Sequence, residues 1–580
     1  VSQLLPRTAS PSARRREPHD LPRLRLTRPA AARLCAAAVT GVLLGAARPP
    51  LDLGPLACVA FVPLFVAWRD RGPRAAAGYA FVAAVVYHAW LLSWTWYFGT
   101  VAIVPLVLVL AAYWAAAGAV VGWLGRRHLA SPFVVAGVWV LAEAAVARGP
   151  LGGFSWGEVG YAFHDIVAGR ALASDGGVAL VSFFAVALNG FLAEAFLAMR
   201  ARTPTDRRRS GFLAAGLVAV LVLPFIAIAA RSEPPATGTM RVAILQGNDK
   251  NRDLTATEER DRYLPRSHFA LAADVRDPVD LIVFPESSMD ADPRTDPFLR
   301  SHLTAVARRN HAWVLANAVA DAPAHGNRPA GAKVLNLDVL YRPDGTLEGT
   351  YSKRHLVPFG EYIPFRGLLE GRVGAIDRVP RDFEPGRSPG LFDVAGHRIA
   401  TIICFESAFG YQVRPLVRDG AQVIIVSTNN RSYERSANSA QHVAIGQMRA
   451  AETGRPLVQA AISGISAVID ADGRVTTRTG LFERRLLEAT VTATTGETPY
   501  VRYGEWAIEL SAIIVIGAFV VAVRRNRRAR SIESARAPGD EKISADDRIA
   551  EYKTVAPYRD PPEHDFSRGT AGRGASGDST

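Results

Sequence analysis

Three side chains in the second half of the sequence could do chemistry together: the thiol of Cys404, the carboxylate of Glu286 and the amine of Lys353. Cys404 ends the β-branched run Arg398-Ile-Ala-Thr-Ile-Ile-Cys404 and is followed by Phe405-Glu-Ser407, a polar opening toward a turn. A thiol exposed at a strand end is a nucleophile when an adjacent group lowers its pKa. Glu286 stands just past another apolar run, in Phe284-Pro-Glu-Ser-Ser288, where it could take the proton from such a thiol. Lys353 lies in Tyr351-Ser-Lys-Arg-His-Leu-Val-Pro-Phe-Gly-Glu-Tyr-Ile-Pro364, beside Arg354. Taken singly, each has a plainer account: a buried small hydrophobe for the cysteine, a solvated loop residue for the glutamate, a surface cation for the lysine. The other two cysteines, Cys35 and Cys58, fall in long apolar stretches, so Cys404 has no disulfide partner in its own region.

The segments that must position these residues alternate between short strands and helices. Runs at 241–246, 280–284, 312–316, 398–404 and 422–427 are rich in β-branched residues and end in polar residues or Gly, while 263–275, 298–309 and 440–453 are helical in pattern. This alternation predicts a layered α/β domain with active groups at the carboxyl ends of its strands. Residues 333–351 read instead as a hairpin, with Pro343-Asp-Gly345 as its turn.

The first half of the chain has a different character. Apolar runs at 30–46, 56–68, 75–96, 101–124, 132–147, 178–197 and 211–230 predict seven membrane spans, and 506–523 predicts an eighth. A span needs about 20 mostly apolar residues, and the second and fifth runs fall short of that. Arginines concentrate in alternate loops: Arg7 to Arg28 before the first span, then Arg69, Arg71 and Arg74, then Arg126 and Arg127, then Arg200 through Arg209, and Arg524 onward after the last. The positive-inside rule therefore places both termini in the cytoplasm and the α/β region outside. The expected organisation is a basic cytoplasmic segment at 1–29, a bundle at 30–230, an extracytoplasmic catalytic domain at 231–505, a last span at 506–523 and a disordered cytoplasmic tail at 524–580. The first apolar run lacks a small-residue cleavage site before a soluble domain, which argues against a cleavable signal peptide.

Composition agrees with this division. Of 580 residues 49% are hydrophobic, which excludes a disordered chain, and three cysteines exclude a disulfide-stapled scaffold. The formal net charge of +13 would ordinarily suggest nucleic acid as a partner, but the arginines sit in the loops that set membrane orientation, so no nucleic acid is expected.

The motifs around Glu286, Lys353 and Cys404 resemble the Glu-Lys-Cys triad motifs of the nitrilase superfamily. Together with the membrane spans they resemble its membrane-bound apolipoprotein N-acyltransferase family. The likeness extends through Gln246-Gly-Asn248, Ser427-Thr-Asn-Asn430, Gln447 to Pro456 and Ser463-Gly-Ile-Ser466. It implies a polytopic α-helical bundle of about eight spans carrying an extracytoplasmic nitrilase-like α-β-β-α sandwich. It also implies Glu286 as general base, Lys353 as the cation supporting an oxyanion and Cys404 as the acyl-accepting nucleophile. Glu361 matches a second glutamate that positions Lys353 or the incoming amine. Glu406 matches a further acidic position, with loop orientation and direct chemistry both open to it. Phe405 stands where family members often carry Tyr or Trp, no tryptophan follows Gln246-Gly-Asn248, and Asn429-Asn-Arg-Ser-Tyr433 departs from the usual pattern, so the substrate-facing lining differs from that of its relatives.

The implied reaction passes an acyl chain from a membrane phospholipid, phosphatidylethanolamine-like, through a Cys404 thioester to the α-amine of a diacylglyceryl-cysteine on an apolipoprotein. It calls for no metal and no cofactor. Residues 357–363, 367–376 and 152–163 are candidates either for dipping into the outer leaflet or for ordinary packing. Two alternative readings are a membrane-anchored nitrilase-type amidase or hydrolase and a catalytically silent scaffold for a polyprenol-phosphate-sugar synthase. Eight spans exceed what a soluble substrate needs, and the tail is too short for a synthase domain.

Overall fold

The computed structural model describes residues 28–200, 207–250, 254–326, 328–369 and 379–536. The basic N-terminal segment, the tail beyond 536, most of the 200–209 loop and residues 370–376 of one candidate leaflet loop lie outside these.

Twelve strands form two six-stranded sheets. The first has the order β12-β1-β2-β3-β4-β5, built from β1 (Ala236–Gln246), β2 (Leu281–Val283), β3 (Trp313–Asp321), β4 (Val334–Tyr341), β5 (Leu347–Ser352) and β12 (Arg485–Thr494). The second has the order β11-β10-β9-β8-β7-β6, built from β6 (Leu391–Val394), β7 (His397–Ile403), β8 (Val423–Thr428), β9 (Leu457–Ala461), β10 (Ala467–Ile469) and β11 (Val475–Arg478). In each sheet three neighbouring strands pair in parallel, β1-β2-β3 and β7-β8-β9, and the outer strands are antiparallel. The parallel strands are buried on both faces, which is why β8 reads as an unbroken Val-Ile-Ile-Val run.

The sheets pack face to face through Val242, Ile244, Leu281 and Val283 on one side and Ile399, Val423, Ile425 and Val458 on the other. Helices Tyr263–Ala272 and Pro297–Asn310 cover the outside of the first sheet through Leu271, Leu299 and Leu303. Helices Gly410–Arg418 and Asn438–Thr453 cover the second through Val413, Leu416 and Val443. The result is the expected α-β-β-α sandwich. The hairpin is present as β4 and β5, turning at Gly345 with φ +82°. Strands β6 and β9 to β12 were not anticipated.

The apolar half forms a helical bundle. Among the described residues, five of its helices are long and apolar enough to cross a membrane: Arg28–Ala46, Thr100–Gly125, Val167–Arg200, Ser210–Ala230 and Trp506–Ser531. Two expected spans are shorter, at Gly54–Trp68 and Pro132–Val146. The expected third span is a helix only over Pro73–Leu91, rich in alanine and carrying Arg74 and His88, and it ends in a 3-10 turn, Ser93–Phe98. Helix Val167–Arg200 breaks at Gly176 and Gly177, where Gly177 has φ +73°, and resumes at Val178 as expected for the sixth span.

The sandwich rests on this bundle through helix Asn438–Thr453, in which every residue but Ala440 is buried. Val443 and Ala450 face the second sheet, while Ile445, Met448 and Ala451 join the core of the bundle. Several of its polar side chains find partners in the first half of the chain. Gln441 accepts from the indole N–H groups of Trp94 (3.1 Å) and Trp156 (2.8 Å) and donates to the carbonyls of Pro49 and Leu91. Glu452 accepts from the Val178 amide at 2.7 Å, placing a carboxylate at the helix start that the glycine break exposes.

Candidate active site

The loops that follow β2, β5 and β7 converge at one end of the sandwich, bringing Glu286, Lys353 and Cys404 together. Cys404 directly follows β7 and takes a left-handed φ of +53°, and Ser287, next to Glu286, has φ +60°. Such conformations cost a non-glycine residue about 1–3 kcal/mol and re-aim the chain sharply as it leaves the sheet. The thiol of Cys404 accepts from Thr428 Oγ1 at 3.3 Å and feels the charge of the neighbouring Glu286. Glu286 Oε1 accepts from Asn336 Nδ2 (2.7 Å) and lies 3.4 Å from Lys353 Nζ, and its Oε2 accepts from the Asn429 amide at 2.8 Å. Lys353 Nζ also donates to Glu361 Oε1 at 2.9 Å.

Lys353 is only 1% exposed, so the surface-cation account of this residue does not hold. Burial alone would lower its pKa, but the carboxylates of Glu361 and Glu286 outweigh that and keep the amine protonated. Burial raises the Glu286 carboxyl above its ordinary range, against the pull of Lys353. Burial likewise pushes the Cys404 thiol up to about 12, reinforced by Glu286 and offset only in part by Lys353. The condition for a standing thiolate, a neighbour that lowers the thiol pKa, is therefore not met. The resting site holds a protonated thiol against a carboxylate, an arrangement that suits proton transfer during attack rather than a standing thiolate.

The remaining expected residues divide by what they touch. Glu361 accepts from Lys353, from Asn336 Nδ2 (3.0 Å) and from the Val357 amide (2.8 Å), so it fixes both the amine and its loop. Glu406 is held by other partners. Its carboxylate accepts from the amides of Arg354 (2.8 Å), His355 (3.0 Å) and Ile403 (2.8 Å) and from the Tyr351 hydroxyl (2.7 Å). Phe405 stacks against Trp156 and packs on Phe154, His355 and Phe409.

Several site neighbours were not singled out as site residues in the sequence. Asn336, on β4, bridges the two glutamates with one amide nitrogen, and its carbonyl accepts the Lys353 amide at 2.9 Å. Behind it, Asn317 Nδ2 donates to Asn336 Oδ1 and to Asp338 Oδ1, both at 2.9 Å, and Asp338 accepts from Thr401 Oγ1 across the sheet interface at 2.5 Å. Thr428, which donates to the sulfur, is in turn 3.3 Å from His442 Nδ1, and His442 Nε2 lies 2.8 Å from Ser407 Oγ. Burial lowers the His442 pKa to about 4, which makes it a neutral support beneath the Cys404 turn. The signal for these residues was polarity inside otherwise apolar elements, as in Val334-Leu-Asn-Leu-Asp-Val-Leu-Tyr341.

Comparison with known proteins agrees with both halves. The model for the apolipoprotein N-acyltransferase N-terminal domain matches residues 40–191, and that for carbon-nitrogen hydrolases matches 241–500. The chain is similar to the apolipoprotein N-acyltransferase of Geobacter metallireducens, 31% identical over 85% of this chain and 95% of that one. The corresponding protein of Methylococcus capsulatus is 32% identical over 86% and 98%. The chain belongs to the apolipoprotein N-acyltransferase family. The family's two parts, a membrane bundle and a carbon-nitrogen hydrolase sandwich, are the two parts described above, and membership disfavours both the amidase and the scaffold readings.

Two further expectations meet their structural counterparts here. Residues 152–163 are mostly buried between bundle and sandwich, with Trp156 against Phe405 and its indole on Gln441, so this stretch is packing. The 357–363 loop and its neighbour leave Phe359 and Phe365 46% and 74% exposed. Among the described residues, Asp52, His164 and Asp165 bring three ligand-type atoms within 4.8 Å of one another. Burial would lower the His164 pKa, but hydrogen bonds to Asp165 and Asp52 raise it to about 9, so a proton already supplies the positive charge between those carboxylates.

Proposed function

We propose that this chain N-acylates apolipoproteins by two acyl transfers through Cys404. A phospholipid ester presents its carbonyl to the Cys404 sulfur, and Glu286 takes the thiol proton as the C–S bond forms. Lys353 and nearby backbone N–H groups stabilise the negative charge on the carbonyl oxygen. The intermediate collapses to a thioester, and the lysophospholipid alkoxide leaves with the proton held by Glu286. The α-amine of the diacylglyceryl-cysteine then attacks the thioester, Glu286 accepts the amine proton, and the thiolate departs and is reprotonated as the amide is released.

One observation carries this reading: a buried ammonium, Lys353, lies 3.4 Å from the buried carboxyl of Glu286, both act electrostatically on the Cys404 thiol, and Phe405, next to that thiol, packs on Phe154 and Trp156 from the membrane half. Glu361 and Glu406 act in it as positioning residues, the first on Lys353 and the second on the loops. Arg71 and Arg126 lie at the bundle end away from the sandwich, which supports placing the catalytic domain, residues 231–505, on the extracytoplasmic face with both termini inside.

The test is intact-mass spectrometry of the full-length protein incubated with phosphatidylethanolamine. The wild type should gain one acyl mass, removable by hydroxylamine, and Cys404→Ala should gain none. Retention of N-acylating activity by Cys404→Ala would overturn the thioester route.

A further inference from the structure

One large cavity lies far from the triad. It measures about 560 Å³ and opens where Arg69 to Arg71, the end of Thr100–Gly125 and the stretch around Leu197 meet. Arg71 precedes helix Pro73–Leu91, whose far end supplies the Leu91 carbonyl to Gln441 of the sandwich. A 19-residue helix at about 1.5 Å per residue separates the two by roughly 27 Å. The cavity is thus at the opposite end of the bundle from the candidate active site, and the volume is within the roughly 300–1,000 Å³ of ligand pockets.

Its lining is amphipathic. Phe65, Trp68, Val121, Val135, Leu197 and Leu213 form apolar walls, with charged residues at one side. Arg69 is neutralised there by Glu194 and by Asp70, 3.4 Å away. Arg71 is not: its Nε is buried with no hydrogen-bond partner, and no carboxylate pairs with it among the described residues. A guanidinium bordering a cavity with a buried donor unmet calls for an anion, and the apolar walls call for chains attached to it. Basic pockets between helices on the cytoplasmic side of a bundle are built to take phospholipid head groups.

We propose that this cavity is a second phospholipid site, distinct from the catalytic one, which holds the phosphodiester of an inner-leaflet lipid on Arg71 and the start of its acyl chains against Trp68 and Leu197. The bound lipid fills the space where the helices separate, and no chemistry is assigned to it.

Full-length protein in lipid nanodiscs, labelled with a photoactivatable phosphatidylethanolamine carrying its diazirine near the head group and mapped by peptide mass spectrometry, tests this. Peptides holding Trp68 to Arg71 should be labelled several-fold more than the peptide holding Ile513 and Ile516, whose 67% and 60% exposure reports ordinary surrounding lipid. Arg71→Gln should reduce that excess at least threefold. So should Gly125→Phe, where a Cβ meets only Ala130 at 3.9 Å and the ring has room to fill the cavity. Unlabelled phosphatidylethanolamine should compete and diacylglycerol should not. Acyl transfer at Cys404 should be unchanged in both variants, which also shows that they fold. Labelling no greater than at Ile513 and Ile516, an excess that survives both substitutions, or competition by diacylglycerol equal to that of the phospholipid would each overturn the proposal.

Discussion

At the scale of single residues, the candidate site combines desolvation with one lysine that holds it in check. Glu286 is raised by burial and by the charge of Glu361, and Lys353, shared between the two glutamates, is what keeps it ionisable. As the proposed proton acceptor, Glu286 must be deprotonated to act, so activity should fall as pH drops through its raised pKa, and the acid limb of kcat/KM should lie above the ordinary carboxylate value of 4.5. Glu361→Gln removes a like charge and leaves Lys353 wholly to Glu286, so that limb should move to lower pH. A limb that stays put or rises would count against Glu286 as the base. Asn336→Ala withdraws a donor from both glutamates at once, and hydrogen bonds to charged groups are worth about 1.5–3 kcal/mol, so kcat should fall roughly 10- to 100-fold in steady-state assays. Glu286, Lys353 and Cys404 were legible in the sequence because strand ends and short motifs mark them. Asn336 was not, because its importance comes from two glutamates at 286 and 361 that only the fold brings to one nitrogen.

At the scale of elements, what could be read ahead was what periodicity encodes. The buried parallel strands β1, β2, β3, β7 and β8 announce themselves by β-branched runs, and the β4-β5 hairpin by its turn. Strands β6, β10 and β11 are three or four residues long, and β12 mixes apolar residues with threonines and two charges, so their identity depends on the partner they pair with rather than on local pattern. The buried contact from Asp338 on β4 to Thr401 on β7 belongs to this scale too, since it crosses between the sheets. Burial pushes the Asp338 carboxyl from its ordinary 3.8 to about 7. A folded-state pKa above the unfolded one means that folding favours the protonated form; the associated stability is complete below about pH 4 and is lost as pH rises through 7. The melting temperature of the detergent-solubilised protein should therefore decline from pH 5 to pH 8, and Asp338→Asn should flatten that decline. An unchanged slope in the variant would assign the decline to other groups.

At the scale of the whole molecule, the charge pattern of the loops and the placement of the sandwich make one joint prediction. A cysteine introduced at Asp344, in the exposed β4-β5 turn, should react in intact cells with a maleimide that cannot cross membranes. Reaction only after lysis would reverse the proposed orientation. Division of the chain into a membrane half and an α/β half was plain from hydropathy, but their intimacy was not, because Gln441, His442, Arg449 and Glu452 look in the sequence like one face of a solvated helix. In the fold that helix has no water-facing side, and one compact unit runs on to Ala522. The practical consequence concerns protein engineering. Trimming the chain to residues 231–505 in search of a minimal water-soluble enzyme would cut through its interior, leaving Gln441 without its tryptophans, Phe405 without its wall and the nucleophile turn on the bare underside of a half-molecule.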